Sequence, residues 1–535
     1  MISDATQTAL DAALAARDIA GAARLAEAAL ARGEVAPMLF NLAAWAREEA
    51  ADYAGAHALI DRAIAHAPDD LYLLTARGEI LLKEGRLAEA VRTFDGVIGK
   101  DPGNAAAWLG RAVVLETGSS LDRAAESFAQ AARLDPQSAA AFAGKASVAG
   151  RLGKHAEART DAARALMLDP AESTAHCALA RSDIEEGEAA RAAERLRGLL
   201  RGDLTPHKRI LALSLLGDAL SKLRDADGAF AAYCDSKARF GAMHAGAFAG
   251  QPTHTDWLLQ LADEVRQVGG KAFAAPTVNP VPEEAGVHVV LAGFPRSGTT
   301  LVENILASAT GVEALEERPT LREADQRFYA DLDSFRQLAE AESTEIDRLR
   351  AAHWHYVTGS GITCGVPVFV DMDPLKGMKL PLISRMFPKA RIVIMRRDPR
   401  DVVWSCFRAN FALTPSSLQF TTVESTARNY AAMMTLIQLC IEELPLSVHE
   451  LRYDRLVADF DATTRALCDF IGIDWTPALR EFNKTAETRG VGTLSVSQVR
   501  KPLYDGGGQW HRFETHMAPA LPILAPWVDK FGFEP

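Results

Sequence analysis

The stretch Val287-His-Val-Val-Leu-Ala-Gly-Phe-Pro-Arg-Ser-Gly-Thr-Thr300 decides how the carboxyl half of this 535-residue chain folds. Val287 to Leu291 is an apolar, β-branched run, the pattern of a buried parallel strand. It stops at Gly293 and turns through Phe294-Pro295-Arg296-Ser297-Gly298. Thr299 and Thr300 then open a segment with helical spacing. Strand, glycine-bounded loop and helix aim backbone N–H groups and a helix N-terminus at an anion. The loop keeps both glycines of a Walker-type phosphate loop, but Thr299 stands at its lysine position. A cation is supplied earlier, by Arg296. The loop therefore suits an anionic group while lacking the lysine an ATPase uses.

Downstream, strand-like runs alternate with helical patterns. Val368-Phe369-Val370, Arg391 to Met395 and Leu446 to Leu451 are three such runs. The alternation predicts an α/β, P-loop-like domain with a parallel sheet over residues 287–535. In Arg391 to Phe407, Asp398 and Pro399 form an N-cap and first-turn pair. Arg397 then falls at the carboxyl end of a strand, where open α/β sheets bind ligands. Ser405 follows ~9 Å along the helix, close enough to share one phosphate lying beside it. In the competing reading, Arg396, Arg397 and Arg400 simply pair with Asp398 and Asp401.

The first 240 residues repeat. Pro68, Pro102, Pro136 and Pro170 are spaced by 34 residues, with Ala56, Ala90, Ala124 and Ala158 each 12 positions earlier. Ile60, Phe94, Phe128 and Ala162 stand 8 positions before the prolines, and Phe40, Leu74, Trp108 and Phe142 stand 28 before. Small residues let two helices approach, bulky ones fill the space between units, and proline ends the second helix. The pattern resembles the tetratricopeptide repeat family. It predicts an α-solenoid over 1–240 offering a groove for a protein or peptide; a rigid spacer or a homodimer surface is the alternative. Residues 241–286, rich in Gly, Ala and Pro with an amphipathic stretch at Trp257-Leu258-Leu259, are expected to be a linker.

Composition narrows the classes. A formal net charge of −12 argues against a general nucleic-acid binder or a polybasic membrane anchor. Six scattered cysteines without a C-x-x-C pair suit reduced thiols. The N-terminus lacks a signal-peptide pattern and no long apolar run follows, so a cytoplasmic location is expected. His353-Trp-His355 is the nearest approach to a metal motif; without further spaced ligands, no metal is expected.

Together, the loop and the Arg397 region resemble the sulfotransferases that use 3′-phosphoadenosine 5′-phosphosulfate (PAPS). The resemblance covers roughly Val287 to Phe513. It implies that Arg296, Ser297, Gly298, Thr299 and Thr300 hold the 5′-phosphosulfate, and Arg397 and Ser405 the 3′-phosphate. Tyr453, in Leu451-Arg-Tyr-Asp-Arg-Leu456, would lie against the adenine. Arg500 and Lys501 would reinforce the 3′-phosphate site from a closing C-terminal loop hinged at Gly506 to Gly508. The protein-tyrosine sulfotransferase branch places a Glu-Glu pair 20–21 residues after the loop arginine; here those positions hold Glu316 and Glu317. By that resemblance Glu317 is the general base, and Arg296 shares the catalytic work. One departure stands out: the branch has a lysine before Asp-Pro, and the matching position here is Met372. Lys376 and Lys379 are the nearby substitutes.

The expected activity is transfer of a sulfuryl group from PAPS to a hydroxyl, first protein tyrosine. The alternatives are a glycan or small-alcohol acceptor, a P-loop kinase or NTPase, and a non-catalytic repeat scaffold. A chain starting near Gly241 is expected to keep donor binding.

Overall fold

The computed structural model describes every residue except 1, 17, 51, 276–277, 490–491, 494 and 535, and omits the side chain at 497. Two prolyl-linker positions, 276 and 277, thus lie outside the described residues. The chain divides into two compact units, residues 1–182 and 183–535.

The first unit is an α-solenoid of successive helix pairs, among them Leu71–Lys83 with Leu87–Lys100, and Ala139–Arg151 with His155–Leu168. The periodic alanines Ala56, Ala90, Ala124 and Ala158 are all fully buried, as are Ile60, Phe94 and Ala162. Trp108 and Phe142 are only half-buried, and the Trp108 indole N–H donates to the Pro102 carbonyl at 3.0 Å. Asp-Pro thus ends one helix while its carbonyl anchors the next unit's aromatic ring.

Close helix approach rests on glycine where a ring crosses. A Cβ at Gly144 would lie 2.1 Å from a ring carbon of Phe128. Gly144→Ala is therefore expected to destabilise the first unit by about 1–3 kcal/mol through overpacking. That outweighs the roughly 0.5–1 kcal/mol gained by removing a helical glycine. The check is a lowered unfolding midpoint.

The second unit holds five parallel strands: β1 (Val287–Ala292), β2 (Val312–Glu316), β3 (Val368–Met372), β4 (Arg391–Arg396) and β5 (Ser447–Arg452). Their order is β2-β3-β1-β4-β5. All strand pairings are parallel. From the central strand β1 the chain runs to one side for β2 and β3, then crosses to the other for β4 and β5. The carboxyl ends of β1 and β4 flank that reversal, the place where such sheets open a ligand crevice. Ala292 pairs with Ile394, so the loop after β1 and the turn after β4 start side by side.

The helices Pro206–Lys222 and Ala226–Met243, read from the sequence as late repeats, belong to this second unit. The expected boundary at residue 240 therefore falls inside it. The expected linker contains a helix, His254–Val268, whose Leu258, Leu261, Ala262 and Val265 are fully buried. Its apolar side repeats at three- and four-residue spacing, which is a core-facing helix rather than a spacer. Among the described residues no helix is long and apolar enough to cross a membrane.

Candidate active site

The loop after β1 is held tightly. A Cβ at Gly293 would lie 2.9 Å from the Met395 carbonyl oxygen, so only glycine lets β1 and β4 end this close. Arg296 adopts φ 70° and Gly298 φ 109°. Gly298 precedes the helix Thr299–Ala307 without a side-chain cap. Ser297, Thr299 and Thr300 are buried around that N-terminus. The Ser297 hydroxyl oxygen has no hydrogen-bond partner, and the Thr300 and Thr493 hydroxyls lie 3.2 Å apart.

Arg296 turns across to the second motif. Its Nε donates to Ser405 Oγ at 3.1 Å, Nη1 to Ser495 Oγ at 2.6 Å and Nη2 to Gln498 Oε1 at 3.0 Å. Ser405 lies on the helix Pro399–Arg408, whose N-cap is Asp398. Among the three arginines of the competing ion-pair reading, Arg400 pairs with Asp398 and Arg396 with Glu450. Arg397 instead donates to two backbone carbonyls, those of Arg296 at 3.1 Å and Gly506 at 2.6 Å. Its guanidinium sits 4.9 Å from the Tyr453 ring centre. Tyr453 in turn donates its hydroxyl to the Tyr504 carbonyl at 3.1 Å.

Arg296, Arg397, Ser405, Tyr453, Ser495 and Gln498 line one cavity, together with Gly298, Asp401, Arg408 and Lys501, whereas Ser297, Thr299 and Thr300 are not on its wall. Three guanidiniums, Arg296, Arg397 and Arg408, thus converge. Burial first, then the charge of Arg408, pulls the Arg296 pKa down to about 10. Like charges gathered under low dielectric are costly unless an anion joins them. The cavity measures about 60 Å³, and residues between Ser495 and Gly506 line one side of it. Gly508, at φ 69°, gives the chain a turn beside it. Asp401 fixes the far side by accepting from the N–H groups of Gly508 and Gln509, at 2.7 and 2.8 Å.

Not every expected residue comes here. Lys501 lines the cavity but is ion-paired with Glu185 at 3.0 Å. Arg500 follows the short helix Val496–Val499 and is not on the cavity wall. Arg408, which sequence reasoning missed, enters because Asp218 holds its guanidinium at 3.7 Å. Tyr233 donates to the same Asp218 at 2.7 Å. No sequence motif signals this, since the partners are some 190 positions away.

Glu317 follows β2 with φ 48°, and its N–H donates to the Met372 carbonyl at 2.7 Å. That hydrogen bond places it across the carboxyl end of β3. Its side chain is exposed to solvent on one side, and neighbouring protein surrounds the rest. The loss of hydration, followed by repulsion from Asp373, Glu316 and Glu303, pushes its pKa up to about 8; Arg296 opposes the shift. Glu316 accepts from the Gly492 N–H at 2.6 Å. Burial and Glu316 raise Glu303 to about 7, against the pull of Arg489. Met372 is buried in β3. Lys376 is ion-paired with Asp371 and Lys379 with Asp325, so both candidate replacements for the family lysine have carboxylate partners.

Comparison with known proteins agrees with this geometry. Residues 288–477 match the model of the sulfotransferase family. Residues 41–105, 75–139 and 119–173 match the tetratricopeptide repeat. An uncharacterised protein of Aquifex aeolicus (strain VF5) is 28% identical over 253 residues, which are 45% of this chain and 33% of that protein. The chain thus spans about a third of that relative's length. Protein-tyrosine sulfotransferase 1 of Danio rerio is 25% identical over 46% of this chain and 72% of its own. The protein of the same name from Homo sapiens is 25% identical, covering 46% and 70%.

Proposed function

We propose that the chain transfers the sulfuryl group of PAPS to an acceptor hydroxyl, with protein tyrosine as the first acceptor class. The observation that carries this is the convergence of Arg296, Arg397 and Arg408 on one cavity at the carboxyl ends of β1 and β4. A dianionic nucleotide end answers their repulsion. The buried, unpartnered hydroxyl of Ser297 and the N-terminus of Thr299–Ala307 suit a second anionic group beside them. Thr299 in place of a lysine disfavours the NTPase reading, and the intact arginine cluster disfavours a decayed scaffold.

When bound, PAPS supplies an electrophilic sulfur and a stable leaving group, adenosine 3′,5′-bisphosphate. The acceptor oxygen forms a bond to sulfur as the bridging S–O bond breaks. The acceptor proton passes to the Glu317 carboxylate, and Arg296 offsets charge developing on the leaving phosphate. Arg397 and Ser405 hold the 3′-phosphate, with Tyr453 beneath the adenine. The segment carrying Arg500 and Lys501 opens to admit the nucleotide and closes over it. The repeats present a protein or peptide acceptor, in a cytoplasmic setting.

Calorimetry with adenosine 3′,5′-bisphosphate and ATP tests the donor. Binding of the bisphosphate and not of ATP supports the assignment; the reverse ends it. Arg296→Ala removes a charged donor worth about 1.5–3 kcal/mol per hydrogen bond. Affinity for the bisphosphate is expected to fall about 100-fold or more.

A further inference from the structure

A buried polar cluster, none of whose members lines the arginine cavity, is left unused by the transfer reaction. His288 comes from β1, Asp371 from β3 and His353 from the helix Ser343–Gly359. All three are buried. One potential ligand atom from each lies within 4.8 Å of the other two. His288 Nε2 and Asp371 Oδ2 are 3.9 Å apart.

We propose that His288, His353 and Asp371 form a binding site for a divalent transition metal, with Zn²⁺ as the ion of choice.

The unsatisfied valences point inward. Neither ring nitrogen of His288 has a hydrogen-bond partner, nor does Nε2 of His353. Buried polar atoms are rarely left so. The His353 tautomer is also set. Nδ1 lies 3.1 Å from the Thr320 carbonyl oxygen, which can only accept, so Nδ1 carries the proton and Nε2 the lone pair. A carbonyl behind a histidine is how metal-binding imidazoles are commonly oriented. Trp354, Phe369 and Phe387 surround His288, with ring centres at 5.2, 5.5 and 4.8 Å. Those rings offer the imidazole nitrogens no hydrogen-bond acceptor.

Asp371 already has two partners, and their placement leaves room. Lys376 pairs with Oδ1, whereas Thr320 Oγ1 donates to Oδ2 at 2.8 Å. The ammonium and the ion would therefore take opposite oxygens of one bridging carboxylate. Oδ2 has a second lone pair beyond the Thr320 bond. A tetrahedral zinc ion bonds nitrogen and oxygen at ~2.0–2.2 Å, so its ligand atoms stand roughly 3.3–3.6 Å apart. Side-chain adjustments of about 1 Å close the present spacing to that value. Two histidines, one carboxylate and a fourth position left for water are within the zinc repertoire.

The sequence reading expected no metal, with His353-Trp-His355 the nearest approach to a metal motif. His355 is two residues on along a helix and its side chain is 84% exposed, so it faces away from the cluster. The companions of His353 come instead from two strands.

The test uses the full-length protein, stripped of metal with a chelator and titrated with Zn²⁺ against a fluorescent indicator. One ion per chain is expected. His288→Phe, which suits the aromatic surroundings, should weaken Zn²⁺ roughly 100-fold, in line with loss of a ligand or its support. Binding of adenosine 3′,5′-bisphosphate should not change. Failure of the wild-type protein to take up Zn²⁺, or equal uptake by His288→Phe, overturns the site. If His288→Phe does not fold, Co²⁺ added to the wild-type protein decides. Intense tetrahedral d–d absorption, lost on adding Zn²⁺, supports the site; its absence overturns it.

Discussion

Replacing Glu317 by glutamine is expected to lower kcat by about 10²–10⁴-fold, the usual contribution of a general base. Affinity for adenosine 3′,5′-bisphosphate should stay unchanged, because Glu317 is not on the wall of the arginine cavity. The wild-type pH profile gives an independent readout. Loss of hydration and three nearby carboxylates raise the Glu317 pKa to about 8. A base acts only when deprotonated, so activity should rise with pH through that value. At pH 7 about one-tenth of the enzyme would carry the carboxylate, and the gain to full ionisation would be about tenfold. Glu317→Gln should flatten this rise. Wild-type turnover in the variant, or an unchanged rise, would remove Glu317 as base. A fall in nucleotide affinity equal to the fall in rate would make its role structural.

How much of this was legible in the sequence depended on how local each signal was. The strand–loop–helix around Arg296 was readable because glycine spacing and an apolar run lie within fourteen residues. The repeats were readable because the same packing problem recurs every 34 residues. Arg397 and Ser405 were readable through the Asp398-Pro399 helix start. Arg408 was not, since its place depends on Asp218 and Tyr233 from distant helices. The helix His254–Val268 was read as part of a linker because flanking glycine and proline obscured its periodic leucines. The His288 cluster was invisible for a related reason: two strands and a helix contribute one ligand each, at spacings no short motif contains.

The same distance argument reverses the expectation that a chain starting near Gly241 keeps its nucleotide site. That cut removes Pro206–Lys222 and most of Ala226–Met243, which pack directly on the Arg408 helix. Tyr233 is buried, its ring centre 5.8 Å from that of Trp404 in an edge-to-face arrangement. Phe230 lies 5.6 Å from Phe407 and 4.4 Å from His516. Lys237 donates to the Ala409 carbonyl at 2.5 Å, and Arg512 to the Ser221 carbonyl at 2.7 Å. Exposing Trp404 and Phe407 alone costs about 1.5–3 kcal/mol each, a large share of a total stability of about 5–15 kcal/mol. A chain beginning at residue 241 should therefore unfold or bind adenosine 3′,5′-bisphosphate at least about 100-fold more weakly, whereas one beginning at residue 173, before the helix Ser173–Glu185, should bind it as the full chain does. Asp218→Asn separates orientation from folding. It leaves those aromatic contacts in place, keeps an amide oxygen to accept from Tyr233, and removes the charge that holds Arg408, an interaction of up to about 1 kcal/mol. The donor KM should rise about fivefold with kcat and the unfolding midpoint nearly constant. Equal nucleotide binding by the 241 and 173 chains would show instead that Arg408 needs no support from these helices, and that the nucleotide site is complete from the linker onward.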